Sequence, residues 1–173
     1  ELEQQINQFN RGFFLDGTKM DICTGEEFCY GVAGYPEKHE EAPNREIDLL
    51  FLKQKVDAGA KYVVTQMFFD NESFFRFQTD CRRIGINVPI IPALKPITKL
   101  SQLTILPKVF HVDLPTALAT EMMKCTTDQQ AAEVGYEWCL AQARELVAAK
   151  VPNIHFYSLN ATQSVARVAK EIY

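Results

Sequence analysis

The sequence predicts an α/β fold of four strand–helix units, and three features carry that expectation. Short runs rich in β-branched and aromatic residues recur near residues 28–33, 60–70, 88–92 and 153–159, each followed by apolar residues at helical spacing. The runs are apolar on both faces, as strands buried in a parallel sheet are. Neither G-x-G-x-x-G nor G-x-x-x-x-G-K-[ST] occurs, so the two commonest nucleotide motifs of open doubly wound sheets are missing. Four units are half of an eight-fold ring. The chain also opens at Glu1 with no Met and no helix cap, already inside a stripe of Leu2, Ile6, Phe9 and Phe13. The expected fold is a partial (β/α)8 (TIM) barrel of about four β/α units. Residues 1–173 form its carboxyl-terminal half, and the amino-terminal half is absent.

The elements follow in order. The opening helix should stop near Asn10-Arg11-Gly12, where glycine accepts a left-handed end. Residues 28–33 make the first strand, closing on Gly34-Tyr35-Pro36. A polar loop then leads through Pro43-Asn44 into a helix ending at Ala58-Gly59. Residues 60–70 form the second strand, and Asn71 or Ser73 starts the next helix, which runs through Phe74, Phe77 and Cys81 to Gly85. The third strand, residues 88–92, carries prolines that shorten its pairing. A helix of about ten residues should end before Pro107, and Pro115 suits the first turn of another. Thr127 begins a long helix to Lys150 with Ala131, Gly135, Trp138, Gln142 and Leu146 along one side. Residues 153–159 form the last strand. Asn160 and Gln163 cap a final helix carrying Val165, Val168, Ala169 and Ile172.

Composition bounds the function. With 47% hydrophobic and 23% charged residues the chain is globular, not disordered. The net charge of −4 is spread along the chain and no basic stripe interleaves with aromatics, which argues against nucleic acid as a partner. No run of roughly 18 apolar residues suggests a membrane helix. Cys23, Cys29, Cys81, Cys125 and Cys139 lack C-x-x-C spacing, and His39, His111 and His155 do not stand at ligand spacing with them. Neither a metal site nor a disulfide framework is expected, and reduced thiols place the protein in the cytoplasm.

Polar residues gather where the strands exit: Tyr35 and His39, Gln66, Lys95, then Ser158 and Asn160. In barrels that is the active face. Gln66 shares a strand face with Tyr62, Val64 and Phe68, and its amide either satisfies a neighbouring backbone group or points at a polar ligand. Asp48 and Lys55, seven apart, lie on one helix face with Leu52 between them. They are either a solvated charged face or, with His39, a lysine for phosphate and a carboxylate for a sugar hydroxyl.

Five ordered motifs together resemble the methylenetetrahydrofolate reductase family. They are Gly31-Val-Ala-Gly-Tyr-Pro-Glu-Lys-His39; Asp48-Leu49 with Lys53-Gln-Lys-Val-Asp-Ala-Gly-Ala60; Val64-Thr-Gln-Met-Phe-Phe-Asp70; Ile90-Ile-Pro92 with Lys95-Pro96-Ile97; and His155-Phe-Tyr157 with Leu159-Asn160. The resemblance implies a flavin-bearing barrel in which NAD(P)H reduces FAD and the flavin reduces 5,10-methylenetetrahydrofolate to 5-methyltetrahydrofolate, for methionine synthesis. It places Tyr35, His39, Ala42, Asp48 and Lys55 at FAD and Gln66, Phe74 and Gln102 at folate. It puts the catalytic acid in the missing half, so no catalytic residue lies in this chain. Two positions depart from the family pattern. Pro92-Ala93 replaces Pro-Gly, and Ala161 replaces an arginine at the folate tail. A half-barrel also exposes sheet edges, so a self-associating homo-oligomer without catalytic activity is the alternative. A less favoured one is an aldolase-type barrel using Lys95 as a Schiff base.

Overall fold

The computed structural model describes residues 2–21, 25–158 and 161–173. Four strands, β1 (Gly31–Gly34), β2 (Tyr62–Met67), β3 (Ile90–Leu94) and β4 (His155–Phe156), form one sheet in the order β1-β2-β3-β4. Every pairing is parallel. Sequential parallel order with no reversal is the winding of a barrel wall, whereas an open doubly wound sheet reverses at a switch point.

The helices are α1 (Leu2–Asn10), α2 (Arg45–Asp57), α3 (Asn71–Arg83), α4 (Gln102–Phe110), α5 (Thr116–Met123), α6 (Asp128–Ala148) and α7 (Thr162–Ile172). Their starts follow from local chemistry. Asn44 accepts the Ile47 N–H, Asp70 accepts that of Glu72, and Thr127 accepts that of Gln130, each capping a free donor. The cap of α3 is thus Asp70, one residue before the expected start.

Four boundaries differ from the sequence expectation, three of them for a visible reason. β1 starts at Gly31 because the Asn10 amide grips both backbone groups of Phe28 (N–H to Oδ1, 2.7 Å; Nδ2 to C=O, 3.3 Å), holding it outside the ladder. α4 does not stop before Pro107 but runs through it to Phe110. Buried Leu106 and the partly buried Leu103 and Phe110 pack into one apolar cluster, which outweighs the hydrogen bond that proline removes. β4 starts only at His155, because Asn153 turns its side chain onto the Ile154 N–H, and has two residues. At α7, Ala161 stands at the cap with no side-chain bond. The expected cap Asn160, like Cys23 and Leu159, lies outside the described residues.

Side chains alternate along β2. Val63, Thr65 and Met67 are buried, while Tyr62, Val64 and Gln66 are half-buried. Phe68, expected on the Gln66 face, instead follows the strand and is fully buried, stacked on Phe74 at 5.5 Å. Val63, Ile90 and Leu94 form the main core with Leu49 and Leu52 of α2, Phe74, Phe77 and Cys81 of α3, and Cys139, Ala143 and Leu146 of α6. α6 is polar-pinned as well. Trp138 Nε1 donates to the Phe69 carbonyl at 2.9 Å, and Gln142 Nε2 bonds Asn71 Oδ1 and the Phe68 carbonyl. The stripe predicted for this helix is the buried one.

Candidate functional site

The segment between β1 and α2 is tied into a compact cradle. Asp48, in the first turn of α2, accepts the His39 N–H at 2.9 Å. His39 Nδ1 accepts the Glu41 N–H at 3.2 Å, and its ring meets Tyr35 edge-on at 4.5 Å. Lys38 sits at φ 142, a region unfavourable to side-chain-bearing residues, and its ammonium wraps back to the carbonyls of Ala42 (2.7 Å) and Glu40 (3.1 Å).

Behind this cradle lies a cleft of about 610 Å³, within the size range of small-molecule sites. Tyr35, His39, Ala42, Asp48 and Lys55 all line it, so the structure gathers these five sequence candidates into one place. Glu3 of α1 lines the same cleft, and after that group's own backbone bond the Lys55 charge helps hold its carboxyl below the usual range. Burial, with the Asp48 charge adding, pushes the Tyr35 phenol up and keeps it protonated. Phe51, Gln54 and Ala58 complete the α2 wall, and sequence reasoning missed them. The signal was available, since 48, 51, 55 and 58 continue one helical stripe.

Gln66 stands apart from the cleft, in a small hollow of about 10 Å³ that it shares with Tyr35 and with residues 110–112. A register shift falls between Val64 and Met67. There Thr65 Oγ1 accepts the Ala93 N–H at 2.9 Å in place of a ladder bond. Such irregularities re-aim side chains beside functional sites. Gln66 Oε1 accepts the Met67 N–H at 3.0 Å, and its amide nitrogen has no acceptor among the described residues. The carbonyl thus serves the backbone, as the first of the two sequence readings has it. Ala93 lies in β3 paired with Met67 and His155 and has no positive φ, so the missing glycine costs that turn nothing.

Two substrate-side candidates have other placements. Phe74 is 0% exposed, locked between Phe68 and Phe75, and this burial corrects the expectation that it faces substrate. Gln102 Oε1 accepts the N–H groups of Thr98 (2.7 Å) and Lys99 (3.2 Å), tying the end of β3 to α4, with its amide nitrogen left over. Lys95 is 2% exposed and its amine has no hydrogen-bond partner among the described residues, out of reach of a substrate carbonyl, which counts against a Schiff-base role. Burial pushes its pKa down. Ser158 is half-buried, and Asn160 lies outside the described residues.

Glu37 was not anticipated. Its Oε2 accepts the Asp113 N–H at 2.9 Å, while Oε1 is buried without a partner among the described residues. Burial pushes this carboxyl up to about 7, opposed by the Asp113 bond and assisted by the charges of Asp113 and Asp70.

Comparison with known proteins bears on these features. The family model described as Methylenetetrahydrofolate reductase matches residues 19–173. The chain is 37% identical over 150 residues to a probable methylenetetrahydrofolate reductase (NADPH) of Caenorhabditis elegans, covering 86% of this chain and 23% of that one. It is 38% identical over 135 residues to the 5,10-methylenetetrahydrofolate reductase of Escherichia coli K12, covering 78% and 46%. The chain thus spans less than half the length of these relatives. In fold it is similar, with a TM-score of 0.61 at 22% identity over 84% of this chain and 54% of the other, to an uncharacterized Clostridium thermocellum protein described as binding two copies of 5-methyl-5,6,7,8-tetrahydrofolic acid.

Proposed function

Because the chain belongs to the methylenetetrahydrofolate reductase family, we propose that it is the carboxyl-terminal half of a flavin-binding barrel that reduces 5,10-methylenetetrahydrofolate to 5-methyltetrahydrofolate. FAD, if held here, would supply hydride-transfer chemistry between NAD(P)H and the folate. What this chain contributes is a binding surface. Lys55, which shares the cleft with Glu3, offers a cation to a phosphate, Asp48 offers its second carboxylate oxygen to a sugar hydroxyl, and Tyr35 and His39 close the cradle over them. Gln66 presents its free NH2 to an acceptor on the pterin edge, and Gln102 presents another from the start of α4. The catalytic acid is assigned to the other half of the barrel.

One observation carries this reading: five residues chosen from sequence alone line one cleft of about 610 Å³. Titration of the purified chain with FAD, read by quenching of flavin fluorescence, tests it. Saturable binding that Lys55→Glu weakens at least ~10-fold supports it, the size expected when a paired charge is inverted. Equal binding by both proteins, or none by either, overturns the assignment of this cleft.

A second reading has its own support. Leu50 and Phe51 of α2 and Ile105 and Val109 of α4 are each about half exposed, surface that self-association would cover. A colourless, stable homo-oligomer in sedimentation would favour it over the flavin reading.

A further inference from the structure

The hollow at Gln66 holds space for one water and no more, so a flat heterocycle does not enter it as it stands. What closes it is the turn after α4. Phe110, His111 and Val112 lie against Gln66 and Tyr35, with Val112 itself buried.

Two bonds fasten this turn to the loop after β1, and both come from acidic side chains of that loop. Glu37 Oε2 accepts the Asp113 N–H at 2.9 Å, and Glu40 Oε2 contacts His111 Nε2 at 2.8 Å, an ion pair when the imidazole carries a proton. The closed arrangement holds stress at two points. His111 sits at φ 52, a left-handed conformation at which helix ends usually carry glycine. Glu37 Oε1 is buried with no donor among the described residues. Opening releases both, since His111 can leave the left-handed region and water can reach the orphan oxygen. Buried Val112 and partly buried Phe110 also pack in the apolar cluster that α4 joins, so opening withdraws apolar surface as well as breaking the two polar contacts, and the two relieved strains offset part of that cost.

We propose that residues 110–113 form a gate over Gln66, fastened by Glu37 and Glu40, that swings aside to admit the flat ring of the substrate and closes behind it. The inference rests on the folate role proposed above for Gln66 and adds the device that controls access to it.

The test uses the full chain with Gln66→Cys as a reporter. An aromatic maleimide labels the thiol, and peptide mass spectrometry reads the rate at position 66 alone. Glu37→Ala and Glu40→Ala each remove one fastening. Glu40 lies at the surface and its loss leaves the core untouched, so one variant stays informative if the other folds poorly. Labelling at position 66 should rise at least ~10-fold in each variant, and the Asp113 amide should exchange with deuterium correspondingly faster, as local opening requires. Rapid labelling with both fastenings intact would overturn the gate, because the ring would then reach Gln66 by another route. So would labelling that neither variant changes. The labelling needs neither folate nor flavin. If the variants label faster while no form of the chain binds folate, the gate stands and the substrate assignment falls. If folate binds and labelling ignores the fastenings, the gate falls alone.

Discussion

Replacing Asp48 by alanine should loosen the loop between β1 and α2 without unfolding the chain, and the bonds lost set the size of the effect. The carboxylate accepts the His39 N–H at 2.9 Å, a charge-assisted bond worth about 1.5–3 kcal/mol. It also stands in the first turn of α2, where a negative charge contributes about 0.3–1 kcal/mol. The side chain is half-buried, so water offsets part of both, and the net loss should be about 2 kcal/mol. That is a fraction of the roughly 5–15 kcal/mol that holds a domain of ordinary stability, so the fold survives. The loop does not stay ordered, because the His39 contacts to Glu41 and Tyr35 depend on where its backbone is held. A ligand that must reorder the cradle pays the same 2 kcal/mol, which weakens flavin binding about 30-fold. Asp48→Asn keeps an acceptor in place and should lose only about 1 kcal/mol. Thermal unfolding, amide exchange at His39 and FAD titration read the three effects separately. An alanine variant with an unchanged midpoint and a still-protected His39 amide would refute the loop argument. An asparagine variant as damaged as alanine would show that charge, not the bond, matters.

Three further outcomes follow from buried groups. Glu37 has its carboxyl raised from 4.5 to about 7 in the folded chain, so its neutral form favours folding below pH about 4.5 and that contribution is lost as pH rises through about 7. Glu37→Gln should therefore flatten the stability profile between these limits by about 1–2 kcal/mol, once the shift is discounted for partial exposure, as urea unfolding from pH 4 to 8 will show. Lys95→Met removes a buried amine with no hydrogen-bond partner among the described residues and nearly keeps the side-chain length, so it should stabilise by about 1–3 kcal/mol, most at low pH where the amine otherwise takes a proton against its lowered pKa. Gly135→Ala would put a Cβ 1.9 Å from the Ile97 carbonyl oxygen and push α6 off the segment after β3. The loss, about 3 kcal/mol in thermal unfolding, should exceed the roughly 1 kcal/mol that alanine gains in a helix.

What the sequence discloses here divides along physical lines. Periodicity locates the inner face of α6, which buries Ala131, Gly135, Gln142 and Leu146 on one side. The same spacing rule places Asp48 and Lys55 on one wall of the cleft. Effects that depend on a partner distant in sequence are not legible. Asn10 excludes Phe28 from β1 across eighteen residues, and Glu37 reaches the Asp113 amide across seventy-six. Pro107 misleads for a related reason, since a local rule is overruled by the apolar cluster that α4 joins. Phe74 illustrates the converse: an aromatic at a position associated with substrate serves the core, because the stack with Phe68 leaves it no exposed surface.

The two hollows at the exits of the strands differ in a way that bears on how such a site would be used. Tyr35 lines both, so they are adjoining compartments with a shared wall. On the β1–α2 side about 610 Å³ already stands open, framed by bonds from His39, Lys38 and Asp48. On the β2 side the space at Gln66 is about 10 Å³. A cavity formed in advance binds without a reorganisation cost, which suits a group that stays through many turnovers. A cavity that has to be opened charges that cost on each visit, and in return excludes water once it closes. The compartment assigned to flavin is the standing one and the compartment assigned to folate is the shut one. A resident cofactor and a visiting substrate would need that division.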